Sequence, residues 1–169
     1  MTEWRTRHPT AEIDSIIATT ITYIRSELGV SKIGGVGYCF GGKYVPRFLA
    51  QGKGIDVGFI AHPSSLEATE IQGIAGPISI AAGGKLTSIK LSFPSSANHC
   101  RVELDAAFNV TLRRNAEDIL TAKNATYQST LYSDAPHGFA VRVDLNVPSQ
   151  KYAKDASFVQ AVSWFNAWL

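Results

Sequence analysis

Short apolar runs alternate with longer amphipathic segments along the chain, and this alternation restricts its fold more than any other feature. Four runs of strand length are predicted to be β-strands: Lys32–Tyr38, Ile55–His62, Gly76–Ala82 and Tyr127–Ser133. Apolar residues at helical spacing predict helices over 11–28, 41–51, 104–123 and 157–169. Because strands that alternate with helices usually pair in parallel and are covered on both faces, the sequence predicts an α/β protein. We expect a mostly parallel sheet with helices on both faces, in three αβα layers.

Composition excludes several classes of protein. The 169 residues have the length of one domain, and 16 Lys+Arg against 14 Asp+Glu leave no basic surplus for nucleic acid or an acidic membrane surface. Two cysteines, Cys39 and Cys100, form neither a disulfide scaffold nor a CxxC zinc motif, so no metal or cofactor is implied. No apolar run approaches the roughly 20 residues of a membrane span, and no secretory signal pattern begins the chain. We expect a cytoplasmic protein without nucleic-acid or membrane partners.

One segment fits neither periodicity. Residues 83–101 are rich in Ser, Pro and Asn, and we expect an irregular insertion at about 84–101 within a single domain that covers 1–169. Gly84-Lys85 can be encoded by GGTAAG, which contains a splice-donor sequence. We therefore hypothesise that the insertion is translated intron sequence, and under this hypothesis His99 and Cys100 have no function.

The segment Gly37-Tyr38-Cys39-Phe40-Gly41-Gly42 lies between a predicted strand and a predicted helix. A potential nucleophile flanked by glycines in this context is typical of a nucleophile elbow, a tight turn with a strained backbone. We expect Gly37 and Gly41 to be required because a Cβ at either position would collide with the crossing backbone. The N–H groups at the start of the following helix would lower the pKa of the thiol and stabilise an oxyanion.

The same residues allow a second interpretation. Gly35, Gly37 and Gly41 also fit a loop that binds the pyrophosphate of a dinucleotide. Such a loop requires an acidic residue about 20 residues further on, at the far end of the next strand. Asp56 follows after about 15 residues and lies at the start of that strand. The nucleophile elbow is therefore the favoured interpretation.

A nucleophile needs a base, and the base needs an acid to orient it. His137 follows the fourth predicted strand in a loop with Gly138, where open α/β sheets place their sites, and is the candidate base. His62 also ends a strand, but Pro63 follows it, and we favour a packing or loop role. Chain order leaves three candidate acids, which are Glu103, Asp105 and Asp134.

These motifs resemble the dienelactone hydrolase family of α/β-hydrolases. The matching segments are Val36–Gly42, Val57–Ser64, Pro77–Ala82, His137–Arg142 and the closing helix. The resemblance implies a Cys39–His137–Asp105 triad that opens small lactones or esters through an acyl-enzyme, without a cofactor. It also implies that the Phe40 N–H supplies an oxyanion-hole donor and that Arg142 binds a substrate carboxylate.

The chain departs from the family pattern at its N-terminal end. Family members have further strands and a helix before the region that matches Pro9, so we expect the N-terminal part of the fold to be missing. The strand that precedes Cys39 would then be an exposed apolar edge. The alternative hypothesis from another class is a truncated homologue without catalytic activity. Neither the particular ester or lactone nor the oligomeric state follows from the sequence.

Overall fold

A computed structural model describes residues 2–84, 86–90, 99–103 and 105–169. The elements in chain order are α1 (Thr2–Arg7), α2 (Thr10–Ser26), β1 (Gly34–Tyr38), a 3-10 turn (Cys39–Lys43), α3 (Tyr44–Phe48), β2 (Val57–Ala61), α4 (Ala68–Gly73), β3 (Ile78–Gly84), β4 (Leu86–Lys90), β5 (His99–Glu103), α5 (Val110–Ala122), β6 (Tyr127–Ser133) and α6 (Pro148–Trp168).

Four strands form one parallel sheet in the order β1-β2-β3-β6. In its register, Tyr38 pairs with Ala61 and Ala61 pairs with Ala81. The carboxyl ends of the central strands are therefore level with one another. The predicted α/β architecture with a mostly parallel sheet is confirmed, and its carboxyl edge is where such sheets place their sites.

The core has two parts, one on each face of the sheet. Side chains of α3, α4 and α5 pack with Ile60 and Ile80 on one face. Side chains of α6 pack with Phe59, Ala61 and Ala81 on the other. Because successive residues of a strand point to opposite faces, β2 contributes to both parts and is buried along its whole length.

Strand β1 lies at an edge of this sheet. Its burial alternates between exposed and buried residues, and the exposed fraction is 49% at Val36 and 38% at Tyr38. Apolar composition alone predicts a buried strand here, but the strand is the exposed edge that the departure from the family pattern predicts.

The segment after Cys39 differs from the predicted helix 41–51. A 3-10 turn comes first, and the α-helix begins only at Tyr44. Pro46 lacks the N–H that would donate to the Gly42 carbonyl in a continuous α-helix, and glycine has low helix propensity. The predicted helix 11–28 is observed as α2, and Gly29 follows it with φ +64°.

The starts of two further helices differ from the predicted ones. Helix α5 starts at Val110 instead of 104 because Asn109 caps it through a hydrogen bond from the Leu112 N–H at 3.0 Å. Helix α6 starts at Pro148, nine residues before the predicted 157. Helices α1 and α4 were not predicted. No helix in the described part of the chain is long and apolar enough to cross a membrane.

The predicted irregular insertion contains regular structure. Strands β4 and β5 pair antiparallel, and Leu86 lies opposite Glu103. They form a separate two-stranded sheet. Residue 85 and residues 91–98 of the predicted insertion lie outside the described residues, as do the side chains of His99 and Cys100.

Candidate active site

The turn that follows β1 holds Cys39 in a strained conformation. Cys39 has φ +49°, in the left-handed region that non-glycine residues rarely occupy. A Cβ at Gly37 would lie 2.4 Å from the Gly41 carbonyl oxygen, and a Cβ at Gly42 would lie 2.7 Å from the Pro63 Cβ. Both glycines are therefore required for the chain to cross itself closely.

The prediction that Gly41 is also required is wrong. A Cβ at Gly41 would meet no atom within 4 Å, and Gly41 lies outside the positive-φ region. Its carbonyl oxygen, rather than its Cα, faces Gly37. Packing therefore requires two glycines of the motif, Gly37 and Gly42, and Gly42 lies one residue after Gly41.

The loop after β6 brings His137 to Cys39. The turn uses Gly138 at φ +90°, a conformation that glycine adopts without strain. The His137 Nε2 lies 3.1 Å from the Cys39 Sγ, although the two residues are 98 positions apart in the chain. A single hydrogen bond therefore joins a thiol and an imidazole at the carboxyl edge of the sheet.

Asp105 completes the chain of hydrogen bonds. Its two carboxylate oxygens lie 3.1 and 3.0 Å from the His137 Nδ1. Asp105 is 2% exposed, and its Oδ1 also accepts hydrogen bonds from the N–H groups of Ala107 and Phe108. The turn before α5 thus fixes this carboxylate in place. Asp105 contacts the histidine, whereas Asp134 accepts a hydrogen bond from the Ser149 hydroxyl. The side chain of Glu103, the third candidate acid, lies outside the described residues.

The pKa values of the thiol and the imidazole are shifted toward each other. Burial acts to raise the pKa of Cys39, but hydrogen bonds with His137 and Ser64 outweigh it, and the net pKa lies below the ordinary value. Burial acts to lower the pKa of His137, but hydrogen bonds with Cys39 and Asp105 raise it above the ordinary value. Both shifts are in the direction that stabilises a thiolate–imidazolium pair.

The other two predicted site residues differ in position. Phe40 directly follows Cys39, and its N–H donates a hydrogen bond that also lowers the pKa of the thiol. Arg142 is exposed on the turn that begins at Gly138, whose carbonyl accepts the Arg142 N–H at 2.9 Å. Within the described residues, no hydrogen bond joins the Arg142 guanidinium to Cys39, His137 or Asp105.

His62 lies beside the site in the packing role that was favoured for it. The residue is 1% exposed, has φ +38°, and packs edge to face against the ring of His137 with centroids 5.1 Å apart. Among the described residues, neither ring nitrogen of His62 has a hydrogen-bond partner. Burial and the nearby charge of His137 lower the pKa of His62 to about 4, so this ring is neutral at physiological pH.

Sequence reasoning missed Ser64. Its hydroxyl oxygen lies 3.7 Å from the Cys39 Sγ, and its N–H donates to the Cys39 carbonyl at 2.9 Å. The signal was its place just after the carboxyl end of β2, the strand next to β1, where an open α/β sheet places its site. The described residues contain no cluster of three or more metal-ligating side chains.

The fold and this turn define the class: an α/β protein with a nucleophile-elbow geometry at the carboxyl edge of a parallel sheet. The model of the dienelactone hydrolase family matches residues 1–169, and the chain belongs to that family, as the resemblance predicted.

Two relatives agree with this assignment, and one solved structure shares the fold. The chain is 40% identical to hydrolase pyvD of Aspergillus violaceofuscus, over 99% of this chain and 60% of that protein. It is also 40% identical to hydrolase tropI of Talaromyces stipitatus, over 100% of this chain and 62% of that protein. A crystal structure of a Klebsiella pneumoniae protein proposed to be a dienelactone hydrolase superposes with a TM-score of 0.71 at 15% identity, over 95% of this chain and 63% of that one. The chain thus spans about 60% of the length of the curated relatives it matches.

Proposed function

We propose that the chain hydrolyses small esters or lactones, with Cys39 as nucleophile, His137 as general base and acid, and Asp105 as the group that orients His137. One observation carries the proposal: a continuous chain of hydrogen bonds, 3.1 Å from Cys39 Sγ to His137 Nε2 and 3.0 Å from His137 Nδ1 to Asp105. Its members come from three separate segments of the sequence. This arrangement has the geometry of a nucleophile, a base and an orienting acid.

The first half-reaction forms an acyl-enzyme. The Cys39 thiol transfers its proton to the His137 Nε2, and the thiolate attacks the carbonyl carbon of the ester. The Phe40 N–H stabilises the negative charge that develops on the carbonyl oxygen. When the C–O bond breaks, His137 donates its proton to the leaving alkoxide, which departs as an alcohol or, in a lactone, remains attached to the acyl group.

The second half-reaction restores the enzyme. His137, neutral again, takes a proton from water, and the hydroxide attacks the thioester carbon. The C–S bond breaks, the carboxylic acid leaves, and the proton on His137 returns to the Cys39 sulfur. Asp105 keeps the Nδ1 of His137 protonated throughout, so that Nε2 is free to accept and donate.

The proposal also covers the role of Arg142 and the location of the protein in the cell. Arg142, exposed near the loop of His137, would bind a carboxylate when the substrate carries one. A nucleophilic thiol has to remain reduced, so we place the protein in the cytoplasm, where thiols are kept reduced.

The experiment measures hydrolysis of p-nitrophenyl acetate and of a small aromatic lactone by the purified chain. We expect hydrolysis that Cys39→Ala abolishes and that Cys100→Ala, at the other cysteine of the sequence, leaves unchanged. Equal rates for Cys39→Ala and the unmodified chain would refute the proposal and favour the alternative of a non-catalytic homologue.

A further inference from the structure

The loop His62, Pro63, Ser64 and Ser65, here the 62–65 loop, is fixed against the turn that carries Cys39. Pro63 fills the space above Gly42, where a Cβ would be 2.7 Å away. The Lys43 Nζ donates to the Ser65 carbonyl at 3.0 Å. The loop and the turn therefore keep a fixed distance from each other.

Ser64 is the residue of this loop that contacts the sulfur. It is 9% exposed, its N–H donates to the Cys39 carbonyl at 2.9 Å, and its hydroxyl lies 3.7 Å from the Cys39 Sγ. The backbone hydrogen bond fixes the backbone of Ser64 relative to Cys39. From this position the hydroxyl reaches the sulfur.

The direction of this hydrogen bond depends on the state of the thiol. As long as Cys39 carries its proton, either group can donate. After the proton moves to His137, the sulfur has none left, and the Ser64 hydroxyl is the donor. A hydrogen bond to a charged acceptor is stronger than one between neutral groups, so this contact favours the thiolate over the thiol.

We propose that Ser64 is a positioning residue whose hydroxyl donates a hydrogen bond to the Cys39 thiolate and holds the thiolate–imidazolium pair ready for substrate. The inference rests on the proposed function, since it concerns the same nucleophile. The proton of Cys39 goes to His137 Nε2, and Ser64 keeps its own proton throughout. Acylation removes the negative charge of the sulfur, and the hydrogen bond from the Ser64 hydroxyl then becomes weaker.

The experiment is a pH titration of the ultraviolet absorbance of the thiolate, in a Cys100→Ser background so that Cys39 is the single thiol. Ser64→Ala should raise the pKa of Cys39 by about 0.5–1 unit, which means about three- to tenfold less thiolate at a pH below the pKa. Ser64→Thr keeps the hydroxyl and should restore the original pKa. Ser65→Ala removes the neighbouring, exposed hydroxyl and is the matched control, expected to leave the pKa unchanged.

The outcomes separate this inference from the proposed function. If the pKa of Cys39 is low in the unsubstituted chain and Ser64→Ala leaves it unchanged, the role of Ser64 is overturned. His137 then remains the group that activates Cys39. A Ser64→Thr variant that titrates like Ser64→Ala overturns it too, because the effect then comes from packing. An ordinary thiol pKa in the unsubstituted chain also overturns the role of Ser64, whereas the proposed function fails only if Cys39→Ala leaves the rate of hydrolysis unchanged. If Ser64→Ala does not fold, Ser64→Gly gives the same comparison.

Discussion

At the scale of single residues, Asp105 determines which nitrogen of His137 faces the sulfur. Its carboxylate is 1% exposed at the side chain and accepts from the Nδ1 of His137, so that Nε2 points to Cys39. An amide in its place could present its NH₂ group to Nδ1, which would stabilise the tautomer with its proton on Nε2. That tautomer cannot take the proton of the thiol.

We therefore expect Asp105→Asn to reduce kcat for ester hydrolysis by about 10²–10⁴-fold with little change in stability. The matched control is Asp134→Asn, at the acid that sequence analysis kept as a competitor and that bonds Ser149 instead. The control should retain activity within about twofold, since Asp134 has no place in the chain of hydrogen bonds. Equal losses in the two variants would contradict the assignment of Asp105.

His62 makes the stability of the protein depend on pH. Its pKa is lowered from 6.5 to about 4, by burial and by the charge of His137, so the folded chain excludes a proton that the unfolded chain binds. The stabilisation present above pH 6.5 is therefore lost as the pH falls from 6.5 toward 4. The full loss is about 3 kcal/mol.

Denaturant unfolding at a series of pH values checks this prediction. His62→Phe fills a similar volume between the rings of Tyr38, His137 and Phe139 and cannot be protonated. The free energy of unfolding of this variant should fall less steeply between pH 6.5 and 4 than that of the unsubstituted chain. His8→Phe, at a half-exposed histidine, is the control and should keep the original slope. Parallel slopes for all three proteins would refute the prediction.

At the scale of elements, a buried ionic network joins the turn after Cys39 to α4. Glu70 is 3% exposed at its side chain and lies 2.7 Å from the Lys43 Nζ and 3.0 Å from the Arg47 guanidinium. Its other oxygen accepts the Glu67 N–H at 2.9 Å and caps the helix. Arg47 in turn bonds Asp14 of α2. The Glu70 carboxylate thus joins the 3-10 turn, α3 and α4.

Removing that charge leaves two cations partly uncompensated in a buried site. We expect Glu70→Gln to reduce the free energy of unfolding by about 3 kcal/mol. Asp155→Asn breaks an exposed ion pair with Lys151 within α6 and should cost less than about 0.5 kcal/mol. Thermal and denaturant unfolding of both variants measure the difference, and comparable small losses would show that the network contributes little.

The elements also show what the sequence could and could not predict. Strands β2 and β3 follow from the sequence because each buries a continuous apolar run. Helix α2 and strand β6 follow from the spacing of their apolar residues, although most of their side chains are partly or fully exposed. Helix α4 is six residues long and held by its capping box and by ion pairs, so it has no apolar period to detect. The start of α3 depends on the missing N–H of Pro46, a local effect that a pattern of apolar residues does not report.

The site was predictable in part for a similar reason. The glycine pattern and the position after a strand singled out Cys39 and His137. The residues alone left three acids open, since nothing local distinguishes Asp105 from Glu103 or Asp134; the family resemblance made the choice. Ser64 escaped prediction because its contact with Cys39 depends on the neighbouring strands and on the packing of Pro63 against Gly42.

At the scale of the whole molecule, the exposed edge of the sheet is the most conspicuous feature. Strand β1 pairs with β2 on one side, and among the described strands none pairs with its other side. Near this edge, Tyr38 and the exposed Phe158 and Val159 of α6 line one groove. Unpaired edge strands and contiguous apolar surface both favour association.

We therefore expect the isolated chain to associate as its concentration rises. Val36→Lys places a charge on the edge strand and should shift sedimentation toward the monomer. Ile16→Lys, on the exposed face of α2, is the control for added charge away from the edge. The same shift in both variants would assign the effect to net charge, and a monomer at all concentrations would contradict the prediction.

The most direct test of whether His137 activates Cys39 is the rate of Cys39 alkylation by iodoacetamide as a function of pH. In a Cys100→Ser background, we expect a rate at about pH 6 at least tenfold above that of a model thiol. His137→Ala should return the profile to that of the model thiol, whereas His8→Ala should leave it unchanged. A Cys39 that reacts no faster than the model thiol, or that reacts equally fast without His137, would contradict the activation of Cys39 by His137.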